Sequence, residues 1–335
     1  MKILVALSLV ILVGLGFLGY SFYGMILDSL EPVDPAASEA VPFRVDPGAS
    51  TSEVASALAE ENLVHDGRVF ALYTRYRGYD GRIQSGWYHL TRAMTPDEIL
   101  EYLVDGRVSE RSFTVPEGLN VGQTLRALEE QGMGTSEELE AAASRADLVA
   151  DWLPSDYAGD SPLEGYLHPN TYRIPWDAGA DDVIVRMIDG FREYWNAERA
   201  GRAEALDMTV HEVVTLASIV EREAVAEAER PVVSGVFHNR MEIGMRLEAC
   251  ATVHYAIGRP GGELSNADLE TESPYNTYRV GGLPPGPIAS PGAASLDAAL
   301  YPESVPYLYF VAKDDGTHAF AETFAEHQAN INRYR

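Results

Sequence analysis

Cysteine and basic residues are scarce in this chain. Only Cys250 is present among 335 residues, which excludes a disulfide framework and a cluster of metal-binding thiolates. Lysine and arginine together number 25, against 51 aspartate and glutamate residues, so the formal charge is −26. Nucleic-acid binding requires a basic surface to meet the phosphates, and this balance therefore argues against a nucleic-acid partner. The composition, with 46% hydrophobic and 23% charged residues, is that of a globular protein, and the length predicts about two domains.

Histidines at metal-chelating spacing are lacking as well. The segment His211-Glu212-Val213-Val214-Thr215 begins as the zinc motif H-E-x-x-H does, but Thr215 stands where the second histidine is needed. Residues 14–19 match the dinucleotide pattern G-x-G-x-x-G, yet they lie inside an apolar run rather than between a strand and a helix. We therefore expect no metal and no cofactor, and a zinc hydrolase is only the third candidate function.

The N-terminal residues predict a membrane anchor. Ile3–Leu27 is a run of 25 residues without a charge. As a helix it would extend about 37 Å, more than the ~30 Å hydrocarbon core of a bilayer, and it is longer than the apolar stretch of a cleaved signal peptide. Lys2 precedes the run, whereas Asp28 and Glu31 follow it. The positive-inside rule thus predicts a single-pass protein of the cell membrane, with a transmembrane helix within residues 1–30, a cytoplasmic N-terminus and the remainder outside.

Two regions of unequal size follow the predicted anchor. Residues 31–42 are rich in proline, alanine and acidic residues, which predicts a linker. Residues 43–108 combine short strand patterns with short apolar helices and predict a small α+β module. Residues 109–335 are predicted to form a larger domain of mixed α+β class. The predicted fold class is therefore α+β, preceded by a transmembrane helix.

The larger region contains several local signals. Residues 111–202 are mostly helical by pattern, with a less regular insertion over 153–176. Residues 272–292 are dense in glycine and proline, which precludes a regular helix or a central strand there. Near the C-terminus, residues 307–312 and 317–323 flank an Asp-Gly turn, which predicts a β-hairpin.

Glu221 is the candidate general acid. A capping pattern at Thr209 predicts a helix over 210–226, and Glu221 shares a face of that helix with Val214 and Ser218. A carboxyl group among apolar side chains is partly desolvated, which favours the protonated form that a general acid needs. A solvated helix end is the alternative, and periodicity alone does not decide between the two.

A polar aromatic loop is the candidate sugar-binding element. Tyr275, Asn276, Thr277 and Tyr278 offer two phenol rings, an amide and a hydroxyl group within four consecutive positions. Aromatic faces with neutral hydrogen-bonding groups suit a sugar ring, which is apolar on its face and polar on its rim. An ordered surface loop is the equally weighted alternative.

Taken together, these segments resemble the YceG-like family of endolytic murein transglycosylases. The resemblance covers essentially the whole chain and several long motifs in the same order. The matching segments are Leu163–Tyr166, Pro169–Tyr172, Leu216–Glu223, Val236–Arg240, Ser273–Tyr278, Gly282–Ile288 and Tyr307–Ala312. The resemblance implies a LysM-like module at residues 43–108 and a YceG-like catalytic domain at residues 109–335.

The resemblance also implies roles for individual residues. The family's catalytic glutamate falls on Glu221, and no metal is implied. The substrate-binding positions it implies are Glu164, Tyr166, Ser218, Asn239, Tyr275, Asn276, Thr277 and Tyr278. The sequence departs from the usual family residues at His168, Glu248, Cys250, Ser290 and Gln328, which bears on substrate contacts rather than on the type of reaction.

The implied activity is a lyase reaction on nascent peptidoglycan strands. The bond between N-acetylmuramic acid and N-acetylglucosamine is cut without water, leaving a 1,6-anhydro end and ending elongation of the strand. Peptidoglycan synthases of the elongation or division machinery are the implied protein partners. The alternative function is a non-catalytic, glycan-binding scaffold of that machinery.

Overall fold

The computed structural model describes residues 24, 28–157, 161–259 and 261–334. The predicted membrane anchor falls almost entirely outside these residues. Within the part that the structure describes, no helix is both long enough and apolar enough to cross a membrane. The chain divides into two units, Met1–Arg111 with Pro175–Asp177 and Ser112–Ile174 with Ala178–Arg335.

In the smaller unit two strands pair with each other, and two helices lie between them in the chain. Its elements are β1 (Ala40–Val45), α1 (Thr51–Glu60), α2 (Gly67–Tyr76), β2 (Gly86–Thr91) and α3 (Pro96–Val104). β1 runs antiparallel to β2, with Phe43 opposite Tyr88, and both side chains are buried. The predicted linker 31–42 is too long, because its last three residues already form strand pairs with β2.

The larger unit is mixed α+β. Its strands are β3 (Glu110–Val115), which leads into it, β4 (Asn170–Pro175), β5 (Tyr309–Ala312) and β6 (His318–Ala321). Its helices are α4 (Val121–Glu130), α5 (Ser136–Ala143), α6 (Ala180–Tyr194), α7 (Ala197–Ala205), α8 (Val210–Glu223), α9 (Arg230–Glu242), α10 (Cys250–Ala256), α11 (Asn266–Leu269), α12 (Ala293–Leu300) and α13 (Phe324–Tyr334). The predicted α+β class is confirmed.

Helix α8 lies at the centre of the larger unit. Thr209 and Glu212 form the predicted capping box, and every residue from His211 to Val220 except Glu212 is buried. The helix packs against α12, α9, α10 and α7. It ends at Glu223 rather than at residue 226, because the backbone of Ala224 is extended. This early end leaves two carboxyl groups, Glu221 and Glu223, on the last turn of a buried helix.

Long-range pairing accounts for the strand pair that the sequence pattern missed. β3 pairs with β4. β4 lies inside the stretch 153–176, which the sequence pattern predicts to be an irregular insertion. Tyr172 and Ile174 are buried while their neighbours in β4 are exposed, which is the alternation of a half-buried strand. The hairpin of β5 and β6 is confirmed, with Phe310 opposite Phe320.

Candidate active site

Glu223 lies on a cleft at the C-terminal end of α8. The cleft has a volume of about 280 Å³, and Arg240, Glu248, Tyr278 and His318 also line it. These side chains come from α8, α9, the loop before α10, the aromatic loop and β6. The cleft therefore gathers carboxyl, guanidinium, phenol and imidazole groups from segments that are distant in sequence.

The surroundings of Glu223 favour a proton on its carboxyl group. Burial raises the pKa of Glu223, and the hydrogen bond from Ala251 together with the charges of His318, His254 and Arg222 opposes that rise. The backbone N–H of Ala251 donates to Glu223 Oε1 at 2.9 Å. A carboxyl group with a raised pKa keeps its proton to a higher pH than a solvated one, and the amide donor can stabilise the anion that remains after the proton has left.

Arg240 is a buried cation in the wall of this cleft. It is 6% exposed, and its guanidinium donates to the carbonyl oxygens of Leu308 and Leu247, each at 2.6 Å. Burial lowers the pKa of Arg240, and the charges of Glu248 and Glu223 are among those that oppose this shift. The side chain thus fixes two backbone segments around the cleft and supplies positive charge to it.

Glu221 occupies a different environment from Glu223. Its side chain is 7% exposed, and it accepts from Arg230 Nη2 at 3.1 Å and from the Gly292 N–H at 3.0 Å. Arg230 also lies 3.6 Å from a carboxylate oxygen of Glu117, and burial together with the charge of Glu221 raises the pKa of Glu117. Both hydrogen bonds are donated to Glu221, so its side chain joins the start of α9 to the residue that precedes α12. The expected apolar surroundings are therefore only part of its environment.

Glu164 is buried rather than exposed to a cleft. It is 4% exposed and accepts from the Val121 N–H at 3.1 Å and from the Tyr255 hydroxyl at 3.2 Å. Burial raises the pKa of Glu164 to about 7, and the two donors oppose this rise. Tyr255, not Glu164, lines a second cleft of about 100 Å³, together with Arg222. Any influence of Glu164 on a bound sugar would pass through Tyr255.

The aromatic loop contains two buried positions, Asn276 and Thr277, and two half-buried ones, Tyr275 and Tyr278. Asn276 and Thr277 are fully buried. The Asn276 amide donates to the backbone carbonyls of Leu269, at the end of α11, and of Thr271. The Thr277 hydroxyl accepts from the Ala249 N–H at 3.0 Å. These two side chains hold the loop in place, so the expectation of direct sugar contact does not fit their geometry. Tyr278 lines the Glu223 cleft, and the ring of Tyr275 contacts that of Tyr255.

The other predicted sugar-binding positions also make internal contacts. The Tyr166 hydroxyl is 2.9 Å from His211 Nδ1, and the Asn239 amide donates to the backbone oxygens of residues 305 and 307. Ser218 is fully buried and its hydroxyl accepts from the Ile288 N–H at 3.0 Å. These residues are therefore supports of the fold in the observed geometry, because their polar atoms face protein partners rather than a cleft.

The departures from the usual family residues fall in three environments. Glu248 and Cys250 line the Glu223 cleft, and the Cys250 sulfur lies 3.2 Å from the Tyr278 hydroxyl. His168 and Ser290 are buried, and burial lowers the pKa of His168 to about 4. Gln328 is exposed on α13. Two departures thus concern the cleft directly.

The imperfect zinc motif has a structural role. His211 Nδ1 contacts the Tyr166 hydroxyl, and His211 Nε2 is 2.9 Å from the carbonyl oxygen of Pro285. Both ring nitrogens are thereby engaged by protein groups. Within the described ranges, no group of three or more His, Cys, Asp or Glu side chains is arranged to hold a metal ion.

Glu164→Gln should change the pH dependence of stability. The pKa of Glu164 is 4.5 in the unfolded chain and about 7 in the folded protein. Between these two pH values the folded state keeps a proton that the unfolded chain has lost. The free energy of unfolding of the wild type should therefore fall as pH rises through this window, by up to about 3 kcal/mol from this group. The glutamine variant should lack this fall. Urea unfolding of both proteins across the window measures the difference.

The matched control for this prediction is Glu303→Gln, which removes an exposed carboxyl group. Its stability should follow the wild-type curve at every pH. Parallel curves for the wild type and Glu164→Gln would show that Glu164 does not keep its proton in the folded protein.

The fold and the cleft together define a class of protein: an α+β domain that holds a half-buried carboxyl group on a polar cleft. A profile of the YceG-like family matches residues 43–333, and the chain belongs to this family. A Bacillus subtilis (strain 168) protein named endolytic murein transglycosylase is 33% identical over 328 residues, covering 94% of this chain and 90% of the relative.

Two further relatives agree with this assignment. A Streptococcus pneumoniae (strain D39) protein with the same name is 28% identical over 345 residues, which cover 93% of this chain but 62% of the longer relative. The crystal structure of a yceG-like protein from Listeria monocytogenes superposes with a TM-score of 0.61 at 30% identity, covering 87% of this chain and 99% of that one. The resemblance seen in the sequence motifs is thereby confirmed.

Proposed function

We propose that this protein is an endolytic murein transglycosylase, a lyase that cuts peptidoglycan glycan strands internally. The names of its relatives in Bacillus subtilis and Streptococcus pneumoniae support this activity. The observation that carries the proposal is the half-buried Glu223 carboxyl group, whose pKa is raised by burial and which lines a cleft. A scaffold that only binds glycan would not need a proton held at such a position.

The reaction needs one group that first gives and then takes a proton. Protonated Glu223 would donate to the oxygen that bridges N-acetylmuramic acid and N-acetylglucosamine, and the bond from that oxygen to C1 would break. The C6 hydroxyl oxygen of the same muramic acid would then attack C1, and the Glu223 carboxylate would remove the proton from this hydroxyl group. The N-acetyl group of the substrate can stabilise the positive charge at C1, as in substrate-assisted glycosidases.

Protein groups around Glu223 suit both halves of this cycle. Burial favours the protonated carboxyl group before the first transfer. After the transfer, the Ala251 N–H, at 2.9 Å, donates to the carboxylate and stabilises it. The geometry thus favours Glu223 over Glu221, because Glu221 is already paired with Arg230. The sequence-based assignment of catalysis to Glu221 stays a prediction, which the substitutions Glu221→Gln and Glu223→Gln test.

The finer features of the chain are also part of the proposal. We propose that residues 1–30 anchor the protein in the cell membrane and that the catalytic domain, residues 109–335, acts outside the cytoplasm near peptidoglycan synthases. Residues 43–108 would form a LysM-like, glycan-binding module. The strand–helix–helix–strand order of the smaller unit supports this module. The uncharged length of Ile3–Leu27 supports the anchor.

The experiment that tests the function uses the full chain purified in detergent. Uncrosslinked peptidoglycan strands are incubated with the protein, and the fragments are identified by mass spectrometry. We expect fragments of intermediate length that carry 1,6-anhydro ends, because an endolytic enzyme cuts within the strand. Strands that are bound but never shortened would contradict the lyase and favour the scaffold.

A further inference from the structure

Glu248 is a second carboxyl group on the Glu223 cleft. It is exposed to solvent and lines the same 280 Å³ space as Glu223. Both glutamates interact electrostatically with the same two groups of the cleft wall, the Arg240 guanidinium and the Tyr278 hydroxyl. The cleft therefore contains one half-buried carboxyl group, whose pKa burial raises, and one exposed carboxyl group.

The backbone of Glu248 is fixed in an uncommon conformation. Its φ is +46°, in the left-handed region that non-glycine residues rarely adopt. Its N–H donates to the Thr277 carbonyl at 3.2 Å, the preceding carbonyl of Leu247 accepts from Arg240, and the following N–H of Ala249 donates to the Thr277 hydroxyl. Leu247 and Ala249 are both buried. The exposed carboxylate is thus held on the cleft by a rigid, buried backbone.

A half-buried acid and an exposed carboxyl group on one cleft are the groups that ordinary glycosidases use. One carboxylic acid protonates the leaving oxygen, and the other carboxylate activates a water molecule. An intramolecular lyase requires only the first of these groups. A second carboxylate can take part when a water molecule attacks C1 in place of the C6 hydroxyl, because it can accept a proton from that water.

We propose that this cleft also hydrolyses the glycosidic bond, with Glu248 as the general base; the inference rests on the proposed function. Glu223 gives its proton to the bridging oxygen, and the bond between that oxygen and C1 breaks. Water, the co-reactant, forms the new bond to C1 and gives one proton to the Glu248 carboxylate. The products are an N-acetylglucosamine 4-hydroxyl end and a reducing N-acetylmuramic acid end, in place of the anhydro end.

The test compares the two kinds of end in a single digestion. The full chain in detergent is incubated with glycan strands in water enriched in the heavy oxygen isotope, and products are reduced at once and analysed by mass spectrometry. Hydrolysis places one heavy oxygen at C1, whereas the lyase reaction adds none. We expect the wild type to release both labelled reducing ends and anhydro ends. Pre-cut strands incubated with Glu223→Gln correct for exchange of oxygen at existing ends.

Substitutions at Glu248 test its role as the base. Glu248→Gln should lower the ratio of labelled reducing ends to anhydro ends by about tenfold or more, since a positioned base contributes about 10²–10⁴ in rate. Glu242→Gln, which removes an exposed carboxyl group at the end of α9, should leave the wild-type ratio. In Glu248→Ala, added formate should restore labelled reducing ends by supplying a carboxylate from solution.

Each outcome decides the inference. Anhydro ends without labelled reducing ends from the wild type would overturn it and leave the lyase proposal standing. Labelled ends that persist at the wild-type ratio in Glu248→Gln, or that formate fails to restore in Glu248→Ala, would also overturn it. The absence of cleavage of any kind would overturn the proposed function together with the inference.

Discussion

Glu223→Gln should lower the rate at which anhydro ends form by about 10²–10⁴, the usual contribution of a positioned acid or base. The glutamine side chain keeps the shape of the glutamate and can still accept the Ala251 hydrogen bond. It carries no proton that it can transfer to the bridging oxygen. The fragments are counted by mass spectrometry at equal concentrations of folded protein, and strand binding should persist in the variant.

Glu221→Gln is the matched control, since it changes the same residue type one half-turn earlier on α8. Its single amide oxygen can accept from either Arg230 or Gly292, which donate to different oxygens of the Glu221 carboxylate, so one of these two hydrogen bonds is lost. The variant should therefore be less stable by about 1–3 kcal/mol, while its rate at equal concentrations of folded protein should stay within about tenfold of the wild type. A loss confined to Glu221→Gln would overturn the Glu223 assignment and restore the one made from the sequence. Equal losses of rate in both variants would mean that the two substitutions do not distinguish a catalytic carboxyl group from a structural one.

Arg230→Met should destabilise the larger unit by about 3–5 kcal/mol, the usual cost of removing one partner of a buried ion pair. The Arg230 side chain is 12% exposed and that of Glu221 is 7% exposed. Removing the guanidinium would leave the Glu221 carboxylate with the Gly292 N–H donor but without its counter-charge. The free energy of unfolding, measured by urea denaturation, tests this expectation.

Two further variants separate the buried pair from a general effect of losing an arginine. Arg145→Met removes an ion pair with Asp147 whose side chains are 41% and 66% exposed, and it should change stability little. Arg230→Met combined with Glu221→Gln removes both charges and should recover most of the lost stability. A single Arg230→Met variant as stable as the wild type would contradict the structural role assigned to this pair.

Sequence patterns predicted those elements whose signals are local. The capping box at Thr209 and the Asp-Gly turn of the hairpin each involve only a few adjacent residues, and both features are present. The pairing of β3 with β4 could not be predicted in this way, because residues 114 and 171 meet across 57 positions of the chain. The length of α8 was overestimated because its end depends on the extended backbone of Ala224.

The choice between two neighbouring glutamates also depends on long-range contacts. Helical spacing put Glu221 on the apolar face, and its side chain is indeed nearly buried. No local pattern indicates that Arg230 and Gly292 contact its carboxylate, or that the cleft forms beside Glu223. The composition of its loop and the family resemblance made Tyr278 a predicted substrate-binding residue, and it lines the Glu223 cleft. Arg240 and His318 enter this cleft through the packing of α9 and β6.

The role proposed for Glu223, as the group that first donates and then accepts a proton, predicts where a bound strand must lie. A crystal structure of Glu223→Gln with a peptidoglycan oligosaccharide is the most direct measurement of this claim. We expect the bridging oxygen to lie about 3 Å from the amide of residue 223, within hydrogen-bonding reach. A strand bound along the cleft of Tyr255 and Arg222, with residue 223 out of reach of any glycosidic oxygen, would contradict it.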